Sequence, residues 1–273
     1  MTFALGLSKG ERDLFRGFLV RASRSSAFPF SLFLFPFSLF LMSRISDQPA
    51  FVLHRRQYSE SSLLVEAITP EFGRVGLIAR GARGSRSALP ALLQPFQELR
   101  LDFSGGGELQ RLTRADAAAP ALALREERAL AGLYCNELLV RLVQRADANP
   151  PLYTRYRETL VELVDGPAVS WVLRCFERDL LDALGYATDF ANDARGVALD
   201  PAGHYRFEPE NGFVGVRETA AGYSGGALLA MGGRSTPAPE QLRELRRLFR
   251  ELISQQLRGE PLRSWGLMRA LGR

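Results

Sequence analysis

Lysine is almost missing from this chain of 273 residues: of its 35 basic residues only Lys9 is lysine, and the others are all arginine. Cysteine and histidine are nearly as scarce, at two each. Cys135 and Cys175 lie far apart and in no C-x-x-C pair, which excludes a disulfide framework and suits a reducing compartment. Signatures of catalysis are missing as well. There is no G-x-x-x-x-G-K-[ST], no G-x-G-x-x-G and no H-E-x-x-H, and no carboxylates pair in a way that suits metal or acid–base work. His54 and His204 read as surface or structural residues. The chain is therefore expected to be no enzyme and to need no cofactor.

Long apolar runs are absent with one exception, at 28–41, where the heptapeptide FPFSLFL occurs twice without a mismatch. A perfect tandem copy without helix or strand period suits three readings. A membrane span needs about 18–20 apolar residues, and Pro29 and Pro36 interrupt this run. A signal peptide would explain Arg12, Arg16, Arg21 and Arg24 ahead of the run, but Leu41-Met42-Ser43 offers no A-x-A-like cleavage site. The third reading, adopted as the expectation, is a start assigned too early, with Met42 as the first residue and 1–41 a mis-assigned extension. That stretch holds five basic and two acidic residues, so it supplies +3 of the formal +5 and leaves the body near +2. Any polyanion-binding surface must then come from local clustering rather than bulk charge.

What is present is ordinary for a folded chain: 46% hydrophobic and 24% charged residues, over a length that suits two or three compact units. The arginine bias has two explanations that composition does not separate: GC-rich coding, or the suitability of guanidinium for phosphate forks and base stacking. Residues 51–118 read as five short strands, at Phe51–Gln57, Ser61–Thr69, Arg74–Ala79, Leu99–Phe103 and Glu108–Ala115, with a short helix at Ala88–Leu93 between the third and fourth. That layout suits an oligonucleotide-binding (OB) barrel, with other small barrels or sandwiches as the alternative. From Pro120 the pattern is helical: Leu122–Ala146 with Leu130, Leu133, Leu138 and Leu142 on its apolar face, then Leu152–Val164, Val169–Leu184, Pro237–Leu257 and a tail at Pro261–Leu271. An irregular insert with strand-like pieces at His204–Phe207 and Gly212–Val216 interrupts the helices and runs on through the glycine-rich 222–233. The expected fold is α+β: an OB barrel at 42–118, then a helical domain at 119–273 that includes the insert at 187–233.

Several stretches resemble the RecO family of recombination mediators. They are F-V-L-x-x-R-x-Y-x-E-x-S-L-L from Phe51, E-F-G-R-x-x-x-I-A-R-G-A-R from Glu71 and L-L-Q-P-F-x-x-L from Leu92. With them go YCNELL at Tyr134–Leu139, FERDLLDALGY at Phe176–Tyr186 and the closing Pro261-Leu262-Arg263-Ser264. The resemblance runs from about Met42 to the C-terminus. It implies a cytoplasmic, nucleoid-associated protein that binds single- and double-stranded DNA and anneals complementary strands. The implied partners are RecR and the acidic C-terminal tail of the single-stranded-DNA-binding protein, in the service of RecA. Many family members bind zinc through four cysteines in the insert; here Leu184–Thr219 has none, so a metal-free insert is expected and no metal site is proposed.

The candidate DNA contacts are Arg74, Arg80, Arg83 and Arg86, four arginines without an acid between Phe72 and Pro90, in a glycine-rich loop. An ordinary solvated hairpin is the competing reading. Arg55, Arg56 and the stacking candidate Tyr58 join them, whereas Phe51 and Phe72 suit the core. On the Pro237–Leu257 helix, Arg243 and Arg247 with Arg246 and Arg250 form either a solvated face or a second DNA contact. Arg125 and Arg128 beside Leu133 and Leu139 are the candidate receptor for an acidic peptide. A non-catalytic scaffold with only incidental DNA contact is the alternative function.

Overall fold

The computed structural model describes residues 44–217, 222–257 and 259–271; the repeat at 28–41 and every reading of it lie outside them. Five strands, β1 (Arg44–Gln57), β2 (Leu63–Thr69), β3 (Gly73–Ala79), β4 (Glu98–Ser104) and β5 (Leu109–Ala117), close into a barrel in the order β1-β2-β3-β5-β4. All pairs are antiparallel except β3 with β5. This is the OB barrel expected from the strand spacing.

One strand must serve both seams of the closure. β1 pairs with β4 through its first half and with β2 through its second, and its register slips between Ile45 and Gln48 and again between Val52 and His54. In the first slip Asp47 adopts a φ of 55°, and its N–H donates to the buried carboxylate of Asp102 at 2.8 Å. Such bulges bend a strand and sharpen its twist. A one-turn helix, α1 (Leu89–Leu92), sets Leu89 and Leu92 against the barrel core.

Alternate residues of each strand, among them Val52, Val65, Leu77, Leu101 and Phe103, fill the barrel. The opposite face of β1 and β2 is not left to water: Phe51, Leu53 and Ile68 enter a second core shared with the helices. β2 is thus buried at every position, which is why LLVEAIT reads as a nearly continuous apolar run rather than an alternating one.

The helices are α2 (Glu126–Leu142), α3 (Pro150–Asp165), α4 (Val169–Ala183), α5 (Gly225–Gly232), α6 (Pro239–Gln256) and α7 (Arg263–Leu271). The insert carries a three-stranded sheet, β7 (Gly212–Gly215), β6 (His204–Glu208) and β8 (Tyr223–Ser224) in that spatial order. Phe190, Leu199, Tyr205, Phe213 and Tyr223 tie it into the helical core, with Phe190 stacked on Phe249 at 6.1 Å. Among the described residues no group of three or more His, Cys, Asp or Glu could hold a metal ion, and no helix is long and apolar enough to cross a membrane.

Two expectations need correction. The helix predicted over Leu122–Ala146 is shorter, because its last residues turn back to β3: Ala146 donates to the Arg74 carbonyl at 3.0 Å. Its buried face is Ala131, Tyr134, Cys135, Leu138 and Leu139, while Leu133 is 42% exposed. Counting leucines misplaces that face, since small and aromatic residues make up most of it. The glycine-rich 222–233, for which no element is predicted, holds β8 and α5. Its glycines permit close packing: a Cβ on Gly225 would lie 1.9 Å from the Asp200 carbonyl oxygen.

A buried polar joint fixes barrel to helices. Asn136 of α2 donates to the Leu53 carbonyl of β1 at 3.0 Å and accepts from the Tyr156 hydroxyl at 2.6 Å. Glu137, one residue on, accepts from the backbone N–H groups of Arg263 and Ser264 at 2.8 and 2.9 Å, which caps the start of α7. YCNELL and PLRS, far apart in sequence, are contact partners.

Candidate nucleic-acid interface

OB barrels take polynucleotides on the outer face of strands 2 and 3 and the adjoining loops. Here that face is divided. Its lower half is occupied by the segment that follows α2. Buried Glu66 of β2 is ion-paired with Arg74 of β3 at 2.8 Å and with Arg145, and Arg74 donates from Nε to the Val143 carbonyl at 2.8 Å. Gly73, at φ +58°, lies so near this segment that a Cβ would fall 1.9 Å from the Asp147 carbonyl oxygen.

The upper half is open. The register aligns Arg56 of β1, Leu64 of β2, Ile78 of β3 and Arg111 of β5 in one row across the sheet. Leu64 is buried and Ile78 half-buried, whereas Arg56 and Arg111 are exposed and have no hydrogen bond or ion pair among the described residues. Arg80 follows Ile78 by two residues and leaves β3 on the same side by strand alternation. Arg145 borders the row from below: a Cβ on Gly76 would come within 3.1 Å of its Cζ.

The loop after β3 continues this surface around the barrel end. Gly81, at φ +67°, starts a pair of tight turns closed by Gly84 N–H to Gly81 O and Ser87 N–H to Gly84 O. Fully buried Ala82 pins the loop to the barrel. Arg83 ties it to the β1–β2 loop, through its backbone N–H to the Ser61 carbonyl and its guanidinium to the Ser59 carbonyl at 2.9 Å. Tyr58, 53% exposed, sits in that second loop. Arg80 and Arg86 are exposed and unpaired among the described residues.

The structure brings together Arg56, Tyr58, Arg80, Arg83 and Arg86, and withdraws other candidates. Arg74 is 15% exposed at its side chain and held by Glu66 and Val143, so it braces the fold. Arg55 points into the barrel end and donates to the Pro90 carbonyl. Arg247 donates to the Gly222 carbonyl and lies 4.7 Å over the Tyr223 ring, so it anchors the insert. Arg243 pairs with Glu240 in solvent at 2.7 Å, the solvated-face reading. Arg111 was not singled out by sequence. Its only signal was its parity with Thr113 on a strand whose Leu112 points inward.

The acidic-peptide constellation does not assemble. Leu139 is fully buried and out of reach of any partner. Arg128 caps the end of α3, donating to the Leu163 carbonyl at 2.9 Å, and of the four only Arg125 and Leu133 are exposed. A groove of about 710 Å³ lies nearby instead, among α2, α4, α6 and α7. Leu130, Val169, Leu173 and Trp265 give it apolar walls, and Arg246 and Arg250 line it together with Glu126 and Glu127 from the start of α2. Arg250 sits 4.7 Å over the Trp265 ring. Beneath lies a buried cluster in which Glu177 accepts from both Arg174 and the Tyr134 hydroxyl. Burial and the nearby Glu177 charge push the Tyr134 hydroxyl well above its ordinary pKa.

Contrary to the expected absence of catalytic signatures, G-x-S-x-G included, Gly222–Gly226 spells that hydrolase pattern. Ser224, however, has an ordinary extended backbone (φ −68°, ψ 139°), not a strained elbow. Its Oγ accepts from Ala227 N–H and bonds to Glu244, the work of a helix cap.

Comparison with known proteins matches residues 42–121 to the family model "Recombination protein O N terminal" and 126–266 to "Recombination protein O C terminal". The DNA repair protein RecO of Xanthomonas campestris pv. campestris is 42% identical over 239 residues, covering 84% of this chain and 98% of that protein. That of Xylella fastidiosa is 40% identical over 236 residues, covering 83% and 96%. That of Ralstonia nicotianae is 40% identical over 223 residues, covering 80% and 82%.

Proposed function

The chain belongs to the RecO family of DNA repair proteins, and from that premise we propose that it binds single- and double-stranded DNA on the barrel and speeds the pairing of complementary strands without catalysis of its own. The observation that carries this reading is the set of unpaired guanidiniums, Arg56, Arg80, Arg86 and Arg111, on one row and one end of an OB barrel. Annealing is slowed by repulsion between two polyanions, and neutralising several phosphates on each strand lowers that barrier. Arg83 and Tyr58 extend the surface into the β1–β2 loop.

In this reading the barrel at 42–118 is the DNA-binding unit and 119–273 receives proteins. The groove beside Trp265, with apolar walls and Arg246 and Arg250 along one side, suits an acidic peptide with apolar side chains. The C-terminal tail of the single-stranded-DNA-binding protein has that character, and together with RecR its capture would help RecA replace the coat protein. The test is annealing of complementary oligonucleotides, bare and coated, without ATP. Acceleration that is lost in the variant Arg80→Ala/Arg111→Ala supports the reading. No acceleration at low salt would leave a scaffold with incidental DNA contact.

A further inference from the structure

The aromatic side chains of the barrel are nearly all spent inside the protein. Phe51 packs edge-on against Tyr156 at 5.4 Å, Phe72 against Phe103 at 5.8 Å, and Phe96 lies so close to α2 that a Cβ on Gly132 would fall 2.6 Å from its Cε1. Tyr58 alone among them is largely exposed, and it stands in a loop rather than on the sheet. Proteins that hold single strands by their bases set successive aromatic rings along the binding groove, each stacked base contributing about five- to 150-fold in affinity. The corresponding row here runs Arg56, Leu64, Ile78, Arg111. Its two aliphatic members are sunk into the sheet, so they form neither a wedge nor a slot for a base, and its two ends are cations.

From this composition we infer that the barrel grips a strand by its sugar–phosphate backbone and leaves the base edges turned to water. The inference rests on the DNA-binding reading above and adds its ligand class: a polyanionic backbone irrespective of base. The guanidiniums of Arg56, Arg80 and Arg111 flank a shallow strip of sheet, with half-buried Ile78 at its surface, on which the sugars can lie, and Arg145 borders it at Gly76. A strand held this way can pair with its complement while still bound. A strand held by stacking must first be released, ring by ring. The same grip accepts a duplex, because pairing does not alter the surface that the protein touches.

The experiment compares, with the full chain at low salt, a mixed-sequence oligonucleotide and an abasic deoxyribose-phosphate oligomer of equal length and charge, by fluorescence anisotropy. Dissociation constants within about threefold of each other, and equal salt slopes, are the expected result. Thymines in the bound strand are expected to stay as reactive to permanganate as in the free strand. Binding of the normal strand with a tenfold or greater loss for the abasic one overturns the inference while leaving DNA binding intact, as does protection of the bound thymines from permanganate. Binding of neither oligomer overturns the DNA-binding reading and this inference together.

Discussion

Consider replacing Arg80 and Arg111 by alanine and following single-strand affinity as a function of salt. Four exposed guanidiniums on this surface, those of Arg56, Arg80, Arg86 and Arg111, lack an intramolecular partner among the described residues. If each neutralises one phosphate, log K should fall against log salt with a slope of about −2.8, from roughly −0.7 per contact. Raising salt fourfold, from about 50 to about 200 mM, then weakens binding about 50-fold. The double variant should show a slope of about −1.4 and only about a sevenfold loss over the same range. Being exposed and unpaired, the two residues should cost less than about 0.5 kcal/mol each in stability. Arg74→Ala is the counterpart. It leaves buried Glu66 with Arg145 alone and orphans the Val143 carbonyl, so it should destabilise by about 2–3 kcal/mol and leave the slope unchanged. Anisotropy titrations at four salt concentrations, with urea melts alongside, read both quantities. A slope that stays near −2.8 in the double variant would refute the assignment of these side chains to phosphates. So would a slope that falls in Arg74→Ala.

Other perturbations have equally definite outcomes. Asn136→Ala orphans the Leu53 carbonyl and the Tyr156 hydroxyl, and urea unfolding should show a loss of about 2–4 kcal/mol. Gly225→Ala, whose Cβ would overlap the Asp200 carbonyl, should lower thermal stability by several degrees, whereas alanine at exposed Gly106, which has open space around it, should not. Trp265→Ala and Arg250→Glu should each weaken an acidic C-terminal peptide at least tenfold in fluorescence polarisation, while Arg128→Ala should lower the unfolding midpoint and spare the peptide. Burial pushes the Cys175 thiol up to about 11 and holds Cys135 and Tyr134 well above their ordinary values. The folded form therefore resists an ionisation that the unfolded chain undergoes first. That contribution to stability is full below about pH 9 and lost as pH rises toward 11, which melts at pH 8 and 10.5 would show.

The barrel was readable because its strands carry local signals: alternation at Leu99–Phe103, turns at Pro70–Gly73 and the triple glycine at 105–107. What the sequence hid was who pairs with whom. Arg74 and Arg80 look alike in a glycine-rich basic stretch. One is spent on Glu66 and on a carbonyl 69 positions away, and the other has no partner among the described residues. The same holds for the α6 arginines, which look like one basic face but divide: Arg243 to solvent, Arg246 and Arg250 to the groove, Arg247 to the insert. Leu139 misled for a related reason, since helix periodicity gives a stripe but not its rotation when Tyr134 and Cys135 share it.

The double-faced burial of β1 and β2 has a practical corollary for anyone dissecting the chain. A fragment cut after residue 118 would bring Phe51, Leu53 and Ile68 into water and leave the Leu53 carbonyl without Asn136. Expressed alone, the barrel should come out insoluble or self-associated, and in the intact protein it should melt together with the helices in a single calorimetric transition.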